Sequence, residues 1–398
     1  MASEMDGLDV QLTIEAGAPG ETPEQAAERL CDAMERIYDH GVYPKITVRR
    51  SWSEHNPVIE GEMAMPSAFR WFLIRELKKL VRMGASIGVT PSRPRVRLND
   101  PRLPEQLDEQ EWDITQKKMF LFTPERIELS LNRLEHYTGT VAASFQRNIL
   151  FTNYNMHVEV FRDMFPDCTG PDRDVQMPAY HAVLPENEGF TLVNMGVGPS
   201  NAKTITDHVA VLRPDCMVMV GHCGGLRNHQ EIGDFVLATG FMRNDKVLDE
   251  SLPVNIPIIP NFVMNRFLME VLEREGRSYR LGTVFTTANR NWEFMRTRAV
   301  QEIHQSRSVA IDMESATVAT NGYRYRVPFA TLLCVSDKPL HGKPKLSGPA
   351  AEFYESSKRL HLQIVIDAIR MGREVHPEGL PNASIRATNE PLFGGPKD

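Results

Sequence analysis

The chain has 398 residues, 41% hydrophobic and 24% charged, enough for a buried core without disulfide or metal staples and long enough to favour two domains. A net charge of −7 excludes the global basic field of a nucleic-acid binder. Five widely spaced cysteines with no C-x-x-C exclude a disulfide framework and indicate a reducing compartment. No Lys or Arg precedes Arg29, so no signal peptide is expected, and no apolar run approaches the ~18 residues of a membrane helix. A cytoplasmic protein with no membrane or nucleic-acid partner is therefore expected. Local basic clusters (Arg49–Arg50 and Arg93, Arg95, Arg97) read as solvated faces.

Residues 1–20 are Gly- and acid-rich and are expected to be poorly ordered. Thr22-Pro23-Glu24-Gln25 is a capping box with Pro at the first helical position, and Ala26, Leu30, Ala33 and Ile37 follow at helical spacing. Strand-like segments at 44–50 and 57–63, an amphipathic helix at 67–82 and a strand at 85–89 complete an α+β domain over 21–140. The Pro- and charge-rich stretch 93–111 reads as a long loop, and 124–137 as a further amphipathic helix. From Asn148 the grammar changes to strand, loop, helix, with short apolar strands at 149–152, 191–194, 217–220, 236–239, 283–287, 309–311 and 330–335. This alternation predicts an α/β domain with a largely parallel sheet over 141–375, closed by a helix at 348–371 and followed by a tail at 376–398.

Two carboxylates stand out. Glu314, after Asp312 and Met313, ends the strand at 309–311, and Asp337 ends the strand at 330–335; both strands read as parallel. Open α/β sheets place ligands at such ends. A carboxylate there can accept two sugar hydroxyls, and a partly desolvated acid can keep a proton to donate. N-capping is the bland alternative for either acid. Gly196-Val197-Gly198-Pro199-Ser200-Asn201 follows a strand and opens a helix, so its amides suit an anion or an attacking water, or form a plain turn. It is neither a dinucleotide fingerprint nor a phosphate-binding P-loop. Gly221-His222-Cys223-Gly224-Gly225 reads as a second glycine turn at a strand end, with His222 a candidate for a hydroxyl, a phosphate or a water. Arg290 and Trp292 follow another strand, where an aromatic can stack on a base and a cation reach its edge or a phosphate; the bland alternative is that Trp292 begins a helix. No His, Cys, Asp or Glu cluster has metal-ligand spacing, so no metal is expected.

Taken together, Met195–Thr204, VGHCGGLR (220–227), IDMESAT (311–317) and LLCVSDKPLHG (332–342) resemble the bacterial AMP nucleosidase family, within the nucleoside phosphorylase/hydrolase superfamily. HYTGT (136–140), LFTNY (150–154) and TNEP (388–391) extend the likeness, which is looser over the amino-terminal domain. The resemblance implies an α/β sandwich around a mixed, largely parallel sheet, with a smaller amino-terminal α+β domain of regulatory kind. It implies hydrolysis of AMP to adenine and ribose 5-phosphate with no cofactor for the chemistry. ATP with magnesium as an allosteric activator, phosphate inhibition and a homohexamer are also implied. Met313 and Glu314 then match ribose contacts and Asp337 the purine acid. Gly196, Gly198 and Ser200 match the loop near the nucleophile. His222, Gly224, Arg290, Trp292 and Lys338 stand as base or phosphate contacts, with Arg290, Lys338 and Lys345 as candidates for the 5′-phosphate.

Phosphorylases of this superfamily carry an Arg and a Ser where this chain has Met219 and His222, which favours water over phosphate as acceptor. Ala288-Asn289 replace two acids of the nucleosidase pattern. A purine nucleoside phosphorylase and a non-catalytic AMP sensor remain the competing readings; two intact acids argue against the sensor.

Overall fold

A computed structural model describes residues 12–14, 20–49, 58–101, 103, 107, 118–344 and 347–381. The chain divides into two compact units, whose described parts lie within 12–133 and 134–381.

In the first unit, β1 (Leu12–Ile14), β2 (Val42–Arg49), β3 (Val58–Glu62) and β4 (Ser86–Pro94) form an antiparallel sheet in the order β1-β4-β2-β3. Helix α1 (Pro23–Asp39) starts from the expected capping box: Gln25 N donates to Thr22 Oγ1 at 3.2 Å and Thr22 N to Gln25 Oε1 at 3.0 Å. Its apolar stripe, Ala26, Leu30, Ala33 and Ile37, is buried, and α2 (Arg70–Arg82) follows a single 3₁₀ turn at Pro66–Phe69. Two expectations fail. Leu12–Ile14 is strand, not disordered tail, because its backbone pairs with Ile87–Val89; the rest of 1–19 lies outside the described residues. The strand at 86 runs on to Pro94, so Arg93 is not loop. Arg93 pairs with Glu62 and Glu125 and lies over the Tyr43 ring, and Arg95 pairs with Glu128 over the Tyr38 ring, so these two cations are engaged by acids and aromatics.

Helix α3 (Pro124–Thr138) leads to the second unit, a mixed eight-stranded sheet. Its strands are β5 (Asn148–Thr152), β6 (Ala179–Ala182), β7 (Phe190–Asn194), β8 (Cys216–Gly225), β9 (Phe235–Asn244), β10 (Tyr279–Thr287), β11 (Ala310–Asp312) and β12 (Phe329–Asp337). The order is β11-β10-β9-β12-β8-β5-β7-β6, and β11 also pairs with β8, so five strands close on themselves. Helices α4 (Asn155–Met164), α5 (Pro199–Val209), α6 (Phe262–Arg274), α7 (Arg296–Ser306), α8 (Ser315–Arg324) and α9 (Ser347–Val375) surround it. Strands β5, β7 and β8 are buried along their whole length, as sheets covered on both faces are, and Leu150, Val218, Leu332, Phe161, Leu268 and Ile366 share one core with α4, α6 and α9.

The α/β class and the mixed, largely parallel sheet hold: five strand pairs are parallel (β5–β7, β5–β8, β8–β12, β9–β10, β10–β11) and three antiparallel. The two strands carrying the acids are not parallel to each other. β12 runs parallel to β8, and β11 runs antiparallel to it. Residues 221–225 are not a turn but the last half of β8, paired on one side with β12 and on the other with β11. None of the five cysteines is in a disulfide, four of them are buried, and no helix among the described residues is long and apolar enough to cross a membrane.

Candidate active site

Gly224 is the point on which the site is built. It lies opposite Ile311 of β11 and opposite Asp337 of β12, so the two acid-bearing strands meet on either side of one residue. The β12 pairing slips between Val335 and Asp337, a bulge that sets Asp337 rather than Ser336 against Gly224. A side chain at 224 would meet Ile311 Cγ2 at 2.9 Å and Asp337 Oδ2 at 3.4 Å, which is why glycine stands there.

Around this hub opens a cavity of about 930 Å³ lined by Asn153, Tyr154, His222, Trp292, Glu314 and Asp337 among others. The other expected residues on its wall are Met313, Gly224 and Arg290. Arg290 is exposed, whereas Trp292 is 7% exposed and packs with Leu226, Phe285 and Ile311. Trp292 thus both lines the cavity and anchors a small core.

Glu314 is 2% exposed. Its Oε1 accepts from Gly198 N at 2.7 Å and its Oε2 from Asn153 Nδ2 at 3.1 Å. Burial, and then the neighbouring Asp312 carboxyl, push its pKa up, against the two donors. It stands at the start of α8 without capping it; that task falls to Asp312, whose Oδ2 accepts from Ser315 N at 2.9 Å. Thr286 Oγ1 donates to Asp312 Oδ1 at 2.6 Å and accepts from Ala316 N at 3.0 Å. Burial raises Asp312 as well. The bland reading therefore belongs to Asp312 and leaves Glu314 facing the cavity.

The glycine loop is a correction. Gly196 and Gly198 take positive φ (71° and 112°), and the loop reaches the cavity wall through Val197; Gly196, Gly198 and Ser200 are not on that wall. Ser200 is exposed inside the first turn of α5. The Gly198 amide, expected to meet an external anion, is taken by the protein's own Glu314. Lys338 is a second correction: it is 3% exposed, donates from Nζ to the Asn228 carbonyl at 2.9 Å and is not on the cavity wall. Lys345 lies outside the described residues.

Asp337 is half-buried, and Ser336 Oγ donates to its Oδ1 at 2.6 Å. Met219 is fully buried in β8 and absent from the wall. Asn153 and Tyr154, just past the end of β5, were not among the expected site residues; their strand-end position on the LFTNY segment was the available signal. Tyr154 meets the His222 ring edge to face at 4.7 Å.

Comparison with known proteins bears on the family. Residues 176–370 match the phosphorylase superfamily. The AMP nucleosidase of Escherichia coli (strain K12) is 46% identical over 311 residues, 68% of this chain; the chain spans 64% of that relative's length. A 5′-methylthioadenosine/S-adenosylhomocysteine nucleosidase of Desulfotalea psychrophila is 26% identical over 46% of this chain and 80% of its own. The crystal structure of an AMP nucleosidase from Bacteroides thetaiotaomicron superposes with a TM-score of 0.53 at 30% identity, over 63% of this chain and 99% of that one. The chain belongs to the AMP nucleosidase family of the phosphorylase superfamily.

Proposed function

We propose that the protein hydrolyses the N-glycosidic bond of AMP, releasing adenine and ribose 5-phosphate. The observation that carries this is the convergence of Glu314 and Asp337 on one cavity, on strands meeting at Gly224. Glu314 accepts the ribose 2′ and 3′ hydroxyls, with Met313 beside it. Asp337 gives its proton to N7 of the purine, so the electrons of the breaking C1′–N9 bond enter a neutral base rather than an anion. The sugar becomes oxocarbenium-like, as in other glycosyl transfers, and the carboxylate of Glu314 interacts more strongly as that positive charge grows. Water adds its oxygen to C1′ and sheds a proton, which balances the one given to the base. Met219 and His222 stand where phosphorylases of the superfamily carry an Arg and a Ser, and apolar Met219 supplies no cation for phosphate, which supports water as acceptor. Arg290, exposed on the wall, is the candidate for the 5′-phosphate. Trp292 is the candidate for the base.

The chemistry on this reading needs no cofactor. The rest of the reading follows the family: activation by ATP with magnesium, assembly as a homohexamer, and a cytoplasmic setting, which free cysteines suit. The test is chromatography of the products from AMP, adenosine and inosine 5′-phosphate, with and without inorganic phosphate. Free adenine from AMP without phosphate is expected. An absolute need for phosphate would make the protein a phosphorylase, and binding without turnover would make it a sensor.

A further inference from the structure

Behind the cavity, three histidines that are far apart in sequence converge: His157 in the first turn of α4, His222 in β8 and His361 in α9. All three are buried, His157 and His361 completely. Each offers a ring nitrogen, and these nitrogens lie within 4.8 Å of one another. The rings of His157 and His222 stack at 5.4 Å, and both present edges to His361, at 5.3 and 5.8 Å.

A hydrogen bond prepares one of the rings as a ligand, and a second ring can take the same form. His361 Nε2 lies 2.9 Å from the Leu332 carbonyl, which only accepts, so Nε2 carries the hydrogen and Nδ1 carries the lone pair. His157 Nδ1 lies 2.7 Å from Thr152 Oγ1, a hydroxyl that can accept or donate; the tautomer that donates from Nδ1 leaves the lone pair on Nε2. His361 Nδ1 and His157 Nε2 have no hydrogen-bond partner. Buried nitrogens of this kind are normally satisfied. A backbone carbonyl or hydroxyl fixing the far nitrogen is the outer-shell pattern of metal-bound histidine.

We infer that His157, His222 and His361 form a binding site for a borderline divalent metal of the zinc class. Three imidazoles with no carboxylate suit zinc, cobalt, nickel or copper and not magnesium or calcium. Nitrogens bound to one tetrahedral zinc stand about 3.3 Å apart, so the rings close onto the ion by modest rotations. The ion would tie α4 and α9 to β8 directly behind the cavity, because His222 belongs to both the cluster and the cavity wall. It takes no part in the hydrolysis proposed above, and the inference stands whether or not that reading does.

The test uses the full chain without a polyhistidine tag, stripped with chelator and dialysed against Zn²⁺ or Co²⁺. About one ion per chain is expected, with the visible bands of tetrahedral Co²⁺ and, by X-ray absorption on the zinc-loaded parent, three imidazole nitrogens at about 2.0 Å. His157→Gln and His361→Phe should each abolish the uptake and the rise in melting temperature that zinc gives the parent. No uptake by the parent, fewer than three imidazoles, or uptake unchanged in both variants overturns the assignment. The spectroscopy on the parent decides the matter even if a variant fails to fold.

Discussion

The two acids of the cavity sit in opposite kinds of surroundings, although their strands meet at one glycine. Glu314 is sealed in, holds an amide and a carboxamide as fixed donors, and has a second buried carboxyl two residues away. Asp337 is half-buried on a bulge, with the Ser336 hydroxyl on one oxygen. A buried carboxylate held by preset donors is costly to keep charged but loses nothing to reorganisation when positive charge appears beside it. A carboxyl at the mouth of a bulge can exchange its proton with substrate and solvent between turnovers. The difference fits the division proposed above, the electrostatic role for Glu314 and the proton for Asp337.

Asp337→Asn tests that division most severely. The carboxamide keeps the shape and the bond from Ser336 but has no proton to give, so kcat for AMP should fall about 10²–10⁴-fold with KM nearly unchanged. Adenine release at the parent rate would place the general acid elsewhere. Glu314→Gln comes next. Asn153 Oδ1 has no hydrogen-bond partner, so a flip of that amide lets it accept from the new Gln side chain, and the fold should survive. Loss of the charge facing the oxocarbenium should cost about 10²-fold in kcat/KM, with KM rising as well because ribose binding weakens. If Glu314→Gln raises KM alone, Glu314 is only a ribose contact and the electrostatic role fails. Gly224→Ala perturbs both acids at once. Its methyl group would meet Ile311 Cγ2 at 2.9 Å, so stability should fall by about 1–3 kcal/mol and kcat about tenfold, measured by denaturant unfolding and steady-state rates. Full activity in that variant would mean the two strands adjust independently and Gly224 is no hub.

What the sequence made legible follows from where the signals lie. Strand-end acids, glycine turns and alternating apolar runs are local, and they located β5, β7 and β12, the cavity acids Glu314 and Asp337, and the capped α1. Strand direction is not local. Nothing in residues 309–311 distinguishes a parallel neighbour from the antiparallel contact that β11 makes with β8, because that contact arises from closure of the sheet. The same closure turned an expected glycine turn at 221–225 into strand, with a partner on each side. Partnering was also invisible. Gly198 reads as an amide awaiting an anion until Glu314, far along the chain, is found on it, and Lys338 reads as a phosphate ligand until the Asn228 carbonyl is found at its Nζ. The histidine cluster has no spacing to detect, since its members come from α4, β8 and α9.

The smallest expected effect separates the two acids without substrate. Burial raises the folded-state pKa of Glu314 above its ordinary value of 4.5, and Asp312 moves the same way from 3.8. The folded state therefore binds more protons than the unfolded chain once pH passes those ordinary values, and stability declines as pH rises from there through the raised folded-state values. Below the ordinary values both carboxyls are protonated in either state and cost nothing. Glu314→Gln removes one of the two titrations. The melting temperature of the empty parent should thus fall relative to Glu314→Gln between about pH 5 and pH 8, each unit of relieved shift amounting to about 1.4 kcal/mol. Parallel melting curves for parent and variant across that range would show that Glu314 is already ionised at no cost, and the contrast with Asp337 would then rest on position alone.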